Sequence, residues 1–350
     1  MIRIALIFGG VSPEHDISIS SASQVAEGLR ELAKTRPLVV RAIYITRDGD
    51  WVWGPFDESV LPDCEFIKSA RRWDVEPQIY KAETLDFAQS LARLSERKVD
   101  VALMILHGTM GEDGRIQGAL DLAGIKYAGS GAAASALALD KARCLAVLNS
   151  ARLPIAPSVL VQDGQASAEN IEKTVGFPCV VKPSAGGSSV GVTIVQKREE
   201  LAEALARACE IDRDVVVEQY VPGREFTCGL LERDGELIAL PVIEIVPPPG
   251  RFFDLEAKYT PGMTQEICPA PIPDELARSL QTLARAAHLT LGCRGFSRVD
   301  FIADPSKPTI IEINTIPGMT ATSLLPQAAK AIGIDFPSLI GLMLDSARHD

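Results

Sequence analysis

The start of the chain joins a strand pattern to a helix pattern, and this limits the fold more than any other feature. Residues 2–8 form an apolar run that ends at Gly9-Gly10, and apolar residues then recur at helical spacing from Ala22 to Leu32. The next predicted elements are two strands and a helix, at residues 39–45, 99–106 and 116–122. This alternation predicts an α/β lobe on a parallel sheet. Ligands of such sheets bind at the carboxyl ends of the strands, where the turns GGVSPEHD and HGTMGEDG fall.

A second predicted lobe begins after a helix at residues 132–151 and the proline-containing connection RLPIAP. Its predicted elements are three strands and a helix, at residues 178–182, 190–196, 215–220 and 199–209. The loop KPSAGGSSVGV lies between the first two of these strands. The order of lysine before glycines is the reverse of a P-loop, and a strand rather than a helix follows. We therefore predict an α+β lobe in which this loop is a hairpin flap over a ligand.

The third segment contains a long loop that we interpret as a lid. The segment PPPGRFFDLEAKYTPGMTQ is longer than usual connections, and loops of that length are commonly functional or disordered. The elements predicted around it are strands at 226–231, 237–246, 296–303 and 309–313, a helix at 274–291 and two closing helices. This pattern predicts a second α+β lobe.

Length and charge restrict the class of protein. At 350 residues the chain predicts two or three lobes rather than one core. A net charge of -11 argues against a nucleic-acid partner, which would need a field of Lys and Arg. No run approaches the roughly 20 apolar residues of a membrane span, and the N-terminus lacks a signal-peptide pattern, so a cytoplasmic protein is expected. The 7 cysteines include no C-x-x-C pair and are interpreted as reduced core residues.

The strand pair FSRVDFIADPSKPTIIEIN predicts a metal site. Period-two alternation places Asp300 on one face of the first strand, and it places Glu312 and Asn314 on one face of the second. If the strands form a hairpin, these three side chains converge with Arg298 beside them. Carboxylate and amide oxygens without His or Cys suit Mg²⁺ bound to substrate phosphates. The alternative is an exposed polar face of an edge hairpin.

Lysines beside glycine-rich loops, and carboxylates near a strand end, favour the metal-phosphate interpretation. Lys141, Lys182 and Lys258 each lie near or within such loops, and residues 184–189 offer backbone N–H groups and hydroxyls to a polyphosphate. In VEQYVPGREF, Glu218 and Glu225 could contact a purine edge and ribose hydroxyls. Taken singly, each lysine suits a solvated surface charge, and the strand suits an ordinary charged turn.

In this order the features resemble the ATP-grasp enzymes, in which two α+β lobes clamp ATP under a flap. The resemblance is closer to the D-alanine:D-alanine ligase family and covers nearly the whole chain. Eight segments carry it: GGVSPEHDIS, HGTMGEDGRIQG, YAGSGAAASALALDK, VVKPSAGGSSVGV, YVPGREFT, FDLEAKY, GFSRVDF and EINTIPGMTATSLLP. It implies an N-terminal parallel-sheet lobe at 1–130, a central ATP-grasp lobe at 131–225 and a C-terminal ATP-grasp lobe at 226–350.

The resemblance also implies the nucleotide and metal contacts. ATP would bind with two Mg²⁺ ions, for which Mn²⁺ could substitute. The implied nucleotide contacts are Lys141, Lys182 and Ser188 to the phosphates, Glu218 and the Val221 backbone to adenine, Glu225 to ribose, and Lys258 to the transferring phosphate. The implied metal ligands are Asp300, Glu312 and Asn314.

The substrate contacts follow from the same resemblance. The implied groups are Glu14 and nearby His107 for the first D-alanine, Ser188 and Tyr259 hydrogen-bonded to Glu14, Arg298 and the Gly318 N–H for the oxyanion, and Ser323 with Leu324 for the second D-alanine. In the implied reaction one D-alanine carboxylate is phosphorylated and the amine of a second D-alanine attacks the acyl phosphate. The products are ADP, phosphate and D-alanyl-D-alanine, a precursor of peptidoglycan.

Two other functions stay open at the level of sequence. One is another ATP-grasp ligase that uses D-lactate or a different small acid. The resemblance implies that Tyr259 favours the amide product, so Tyr259→Phe is expected to shift substrate selectivity toward D-lactate. The other is a dinucleotide-binding module at Gly9-Gly10, which lacks a full G-x-G-x-x-G. A homodimer is expected from the resemblance alone.

Overall fold

The computed structural model describes residues 1–54, 64–73, 83–187, 190–248, 264–304, 307–320 and 322–347. Most of the lid predicted from PPPGRFFDLEAKYTPGMTQ, including Lys258 and Tyr259, lies outside these residues. Ser188 of the flap also lies outside them.

The N-terminal lobe is built on a mixed sheet with parallel strands at its centre. The strands of this sheet are β1 (Ile2–Gly9), β2 (Leu38–Ile45), β3 (Trp51–Trp53), β4 (Glu83–Leu85) and β5 (Val101–Leu106). Their order is β4-β3-β2-β1-β5, and β1 pairs in parallel with both β2 and β5. Residues 4–8 of β1 are fully buried, as expected of a strand covered on both faces. The predicted parallel pairing is confirmed for β1, β2 and β5, whereas β3 and β4 extend the sheet with antiparallel pairs.

Helices cover both faces of this sheet. They are α1 (His15–Leu32), α2 (Cys64–Trp73), α3 (Phe87–Glu96) and α4 (Arg115–Leu122). The closing helix α11 (Phe336–Ser346) packs against α1, where a side-chain carbon at Gly28 would overlap Ile340. Arg36 forms a bidentate contact with Asp345 beside this packing. The two ends of the chain therefore share one apolar core.

The second lobe carries a four-stranded antiparallel sheet. Its strands are β6 (Ser158–Gln162), β7 (Cys179–Pro183), β8 (Thr193–Val195) and β9 (Asp214–Gln219), in the order β6-β9-β7-β8. The accompanying helices are α5 (Ala132–Leu139), α6 (Lys141–Ser150), α7 (Ala168–Thr174) and α8 (Leu201–Cys209). The strand predicted at 190–196 is shorter, because only β8 pairs with β7.

The prediction of one continuous helix at 132–151 is wrong. Asp140 interrupts it with an extended backbone, and its side chain caps α6 by accepting a hydrogen bond from Arg143 N–H at 3.0 Å. The hydroxyl of Ser184 donates to the same carboxylate at 2.9 Å. Hydrophobic periodicity continues across the break, and it does not detect a capping aspartate. As a result, Lys141 is the first residue of a new helix.

The third sheet is antiparallel and contains the predicted hairpin. Its strands are β10 (Arg224–Arg233), β11 (Glu236–Ala239), β12 (Ile243–Val246), β13 (Gln265–Ile267), β14 (Phe296–Asp304) and β15 (Lys307–Asn314). The main order is β13-β12-β10-β14-β15, and β11 pairs with β10. The strand predicted at 237–246 is two strands, since Pro241 between them has no N–H to donate. The remaining helices are α9 (Asp274–Thr290) and α10 (Leu324–Ala331).

The three sheets match the number of predicted lobes. The boundaries at 130 and 225 stay predictions, and β10, which starts at Arg224, runs across the second of them. None of the helices that the structure describes has both the length and the apolar character of a bilayer-crossing segment.

Candidate active site

Two adjoining pockets lie where the three sheets meet. The residues that line both pockets are Lys141, Gly186, Gly187 and Glu312. The predicted nucleotide residues in one pocket are Lys182, Glu218, Val221, Glu225 and Asp300. The predicted substrate and metal residues in the other are Glu14, His107, Arg298, Asn314, Gly318, Ser323 and Leu324. The structure therefore brings together all of the described residues that the sequence singled out, although their roles stay predictions.

The hairpin β14–β15 places its acidic and amide side chains on one face. Asp300 pairs with Glu312, and Arg298 pairs with Asn314, so the four side chains are cross-strand neighbours. Asp300 accepts from Arg298 Nε at 2.9 Å, from Arg298 Nη2 at 2.8 Å and from Asn314 Nδ2 at 3.1 Å. The hydroxyl of Thr227 on β10 also donates to it, at 2.6 Å. These donors hold the carboxylate of Asp300 in a fixed orientation.

The donor set fits a hard cation. Asp300 and Glu312 supply carboxylates, and Asn314 uses its Nδ2 toward Asp300, which leaves Oδ1 as its acceptor atom. Across the ranges that the structure describes, no group of three or more His, Cys, Asp or Glu side chains could hold a metal ion. Two carboxylates and an amide would thus need other oxygens to complete the shell, as Mg²⁺ sites that share substrate phosphates do.

The nucleotide pocket contains a buried ion pair. Lys182 on β7 and Glu218 on β9 are diagonal neighbours, because Val180 pairs with Glu218. The distance from Lys182 Nζ to Glu218 Oε1 is 2.6 Å, and the side chains are only 7% and 5% exposed. Apolar residues, including Val180, Phe301 and Ile311, form much of the remaining wall. Such a pocket combines an apolar slot with a few fixed polar groups, which suits a flat heterocycle.

Lys141 lies between the flap and the hairpin. Its ammonium group donates to the carbonyl of Gly186 in the flap and is 4.0 Å from Oε2 of Glu312. Its position follows from the cap at Asp140, which starts α6 at this lysine. A cation at the junction of the two pockets is placed to contact an anionic group that spans both.

Glu14 lies in the turn between β1 and α1, at the edge of the substrate pocket. The turn needs glycine at Gly9, because its φ is +93° and a side-chain carbon there would overlap Ile45 and Tyr44. The flap comes close to Glu14, since a side-chain carbon at Gly187 would lie 2.7 Å from Glu14 Oε2. Glycine at this position therefore allows the backbone at Gly187 to lie this close to the carboxylate.

His107 follows β5 and is buried in the same pocket. Its Nε2 has no hydrogen-bond partner among the residues that the structure describes. Burial lowers the pKa of His107, and Arg298 lowers it further, against the opposing effects of Glu14 and a backbone hydrogen bond with Ile316. Burial therefore disfavours the charged imidazole, and the buried Nε2 lies at the substrate pocket without a hydrogen-bond partner among the described residues.

Glu112 and Glu266 also line the substrate pocket, and the sequence analysis did not single them out. Burial, with the nearby charge of Glu14, raises the pKa of Glu112 to about 8. Burial also raises the pKa of Glu266, which accepts a hydrogen bond from Gln327. An acidic residue inside the glycine-rich turn HGTMGEDG was the available signal for Glu112. For Glu266 the sequence holds no comparable signal, because its strand β13 has only 3 residues.

The loop after β15 closes the substrate pocket. A side-chain carbon at Gly318 would lie 2.8 Å from Ser323 Oγ, so any larger residue here would displace the Ser323 hydroxyl. Ser323 precedes α10, and its Oγ accepts from Thr320 N–H at 2.9 Å instead of capping the helix. The first N–H groups of a helix favour an anion, and those of α10, beginning at Leu324, are at this pocket.

The chain is similar to known proteins over nearly its whole length. The family profile described as D-ala D-ala ligase N-terminus matches residues 3–130, and the one described as D-ala D-ala ligase C-terminus matches residues 147–345. A D-alanine–D-alanine ligase from Syntrophobacter fumaroxidans is 39% identical over 353 residues, with 100% of this chain and 98% of that protein covered. One from Leptospira interrogans is 40% identical over 364 residues, with 99% and 98% covered.

Solved structures of ligases have a similar fold. The VanG D-Ala:D-Ser ligase from Enterococcus faecalis superposes with a TM-score of 0.84 at 33% identity, covering 99% of both chains. The D-alanine-D-alanine ligase from Coxiella burnetii gives a TM-score of 0.80 at 24% identity, with 99% of this chain and 93% of that chain covered, which supports the fold. The expected ATP-grasp fold is confirmed. With both family profiles matched and full-length relatives near 40% identity, the chain belongs to the D-alanine–D-alanine ligase family.

Proposed function

We propose that the protein joins two D-alanine molecules at the expense of ATP and forms D-alanyl-D-alanine for peptidoglycan precursor synthesis. The observation that carries the proposal is the shared wall of the two pockets. Lys141, Gly186, Gly187 and Glu312 line both, so a nucleotide in one pocket and an amino acid in the other would meet there. The alternative of a dinucleotide-binding module does not account for this arrangement.

In the first step, a carboxylate oxygen of one D-alanine attacks the γ-phosphorus of ATP and the bond to ADP breaks. Lys141 and Lys182 neutralise phosphate charge in this step, and Glu14 holds the ammonium group of the amino acid. Glu218 and the Val221 backbone contact adenine, while Glu225 contacts ribose. The chain's main contribution is alignment and charge neutralisation, which is how phosphoryl transfer is usually catalysed.

In the second step, the amine of the other D-alanine attacks the acyl phosphate. A tetrahedral oxyanion forms, phosphate leaves with the oxygen that came from the carboxylate, and the departing phosphate takes up the proton that the attacking nitrogen loses. Arg298 and the Gly318 N–H stabilise the oxyanion; one such donor contributes roughly 3–4 kcal/mol in other acyl-transfer sites. Ser323 and the N-terminus of α10 bind the second carboxylate.

Asp300, Glu312 and Asn314 would hold two Mg²⁺ ions, for which Mn²⁺ could substitute, and the ions would neutralise phosphate charge when bound. The roles expected for Ser188, Lys258 and Tyr259, which lie outside the described residues, stay predictions from the family resemblance. The family relationship also supports a homodimer and a cytoplasmic location.

The experiment is an ADP-release assay with MgATP in which D-alanine, D-serine, D-lactate and L-alanine are added singly and in pairs. We expect release to require D-alanine, and mass spectrometry to identify D-alanyl-D-alanine as the main product at neutral pH. Release that is indifferent to D-alanine would refute the proposal. Preferential formation of the ester with D-lactate would replace it with the alternative ligase.

A further inference from the structure

Glu112 joins two segments that are far apart in the chain. Its Oε2 accepts from the N–H of Gly108 at 2.7 Å, within the turn after β5. Its Oε1 accepts from the N–H of Ile316 at 3.3 Å, in the loop after β15. The two segments lie in different lobes, and each contributes residues to the lining of the substrate pocket, His107 and Glu112 from the turn and Ile316 from the loop. The carboxyl group of Glu112 thus links both segments, beside the backbone hydrogen bond of His107 with Ile316.

The Gly108 turn is also tied to Glu14. The hydroxyl of Ser12 donates to the carbonyl of His107 at 2.7 Å, and it accepts from the N–H of Glu14 at 3.2 Å. A side-chain carbon at Gly108 would lie only 3.4 Å from Glu14 Oε2. A continuous path of short contacts therefore runs from Glu14 through this turn to Glu112.

The Ile316 end of the path lies beside the proposed oxyanion donor. Ile316 is two residues before Gly318, and Pro317 lies between them and limits backbone rotation. Ile316 is also two residues after Asn314, the last residue of β15. A shift of the Ile316 amide would consequently change the position of the Gly318 N–H relative to the hairpin β14–β15. Misplacement of a catalytic group by about 1 Å can cost a hundredfold in rate.

We propose that Glu112 is a positioning residue: by holding the amides of Gly108 and Ile316 together, it sets the distance between the Glu14 carboxylate and the Gly318 N–H. This inference rests on the proposed function, since those two groups would bind opposite ends of the first D-alanine. The N-terminal lobe supplies one group and the C-terminal lobe the other. Without the link, the pocket could widen while each lobe keeps its fold.

The kinetic test compares Glu112→Ala with Glu112→Gln and with Asp113→Ala. Asp113 is the matched control, because it accepts from the N–H groups of Met110 and Arg115 in the same turn and makes no contact with Ile316 among the described contacts. We expect Glu112→Ala to lower kcat about tenfold to a hundredfold, with the KM for ATP changed less than about twofold. Glu112→Gln keeps one acceptor oxygen, so its kcat is expected to fall less than that of Glu112→Ala. Asp113→Ala should stay within about threefold of the wild type.

Amide hydrogen exchange of Ile316 supplies the second readout. Loss of its acceptor is expected to speed exchange about tenfold or more in Glu112→Ala, and not in Asp113→Ala. The inference is overturned if exchange at Ile316 is unchanged, or if kcat is unchanged while exchange rises. It is also overturned if the kcat of Glu112→Gln falls as far as that of Glu112→Ala and one ionisation disappears from the pH–rate profile. Glu112 would then act as an acid or base. Exchange is measured without substrates, so it reports on the link even if the wild-type chain makes no dipeptide.

Discussion

The ion pair between Lys182 and Glu218 allows a quantitative prediction. At 2.6 Å, two unit charges attract by about 6 kcal/mol at an effective dielectric constant of about 20. Burial of both groups offsets much of this, so the pair adds little net stability. Removing one partner is different, since it leaves the other charge buried alone. We therefore expect Lys182→Met to cost about 3–5 kcal/mol in the opening free energy of β7 and β9.

The assay is amide hydrogen exchange of these two strands, in the absence of nucleotide. A cost of that size accelerates exchange by roughly two to three and a half orders of magnitude. Lys34→Met is the matched control, because Lys34 and Glu31 are also 2.6 Å apart but are 66% and 56% exposed. It should change the opening free energy of α1 by less than about 1 kcal/mol.

A double variant tests the coupling. Lys182→Met with Glu218→Gln removes both charges, and it should cost less than the sum of the single variants by about 2 kcal/mol or more. The reasoning is refuted if the two single effects simply add. It is also refuted if Lys182→Met lowers the opening free energy of β7 and β9 no more than Lys34→Met lowers that of α1.

Three further predictions concern the cap, the flap and the raised carboxyl pKa. Asp140→Ala removes the cap of α6 and should lower the free energy of unfolding by about 1 kcal/mol. An unchanged Tm would contradict this. Gly187→Ala should raise the KM for D-alanine on the order of tenfold by displacing Glu14, whereas Gly186→Ala, whose added carbon meets nothing within 4 Å, should not. Folded Glu112 keeps its proton up to about pH 8, against an ordinary pKa of 4.5. The contribution of this group to the free energy of unfolding of the wild type should therefore decrease as pH rises from 4.5 to 8. In urea unfolding, the free energy of unfolding of Glu112→Gln should decrease less over this range. Parallel pH profiles of the two proteins would contradict the raised pKa of Glu112.

The sequence was sufficient where side-chain direction depends on local periodicity. Alternation along two strands predicted that Asp300, Glu312 and Asn314 share a face, because successive side chains of a strand point to opposite sides. The structure adds what alternation cannot supply, namely the pairing of Asp300 with Glu312 and the hydrogen bonds to Arg298.

Other features depend on contacts between distant segments. Lys182 and Glu218 were predicted as separate nucleotide contacts, but their ion pair follows from the β7–β9 register. The break at Asp140 involves Ser184, which is 44 residues away. Glu112 was not singled out, since its partner Ile316 is 204 residues further along the chain. Neither composition nor spacing encodes such pairings, because they form only when the lobes pack.

The most direct test of the central claim follows an oxygen atom through the reaction. D-Alanine labelled with ¹⁸O at both carboxylate oxygens is incubated with the enzyme and MgATP, and the released phosphate is analysed by mass spectrometry. If the carboxylate is activated as an acyl phosphate, each phosphate released with a dipeptide carries one ¹⁸O atom. Phosphate without the label, formed alongside D-alanyl-D-alanine, would contradict the proposed mechanism.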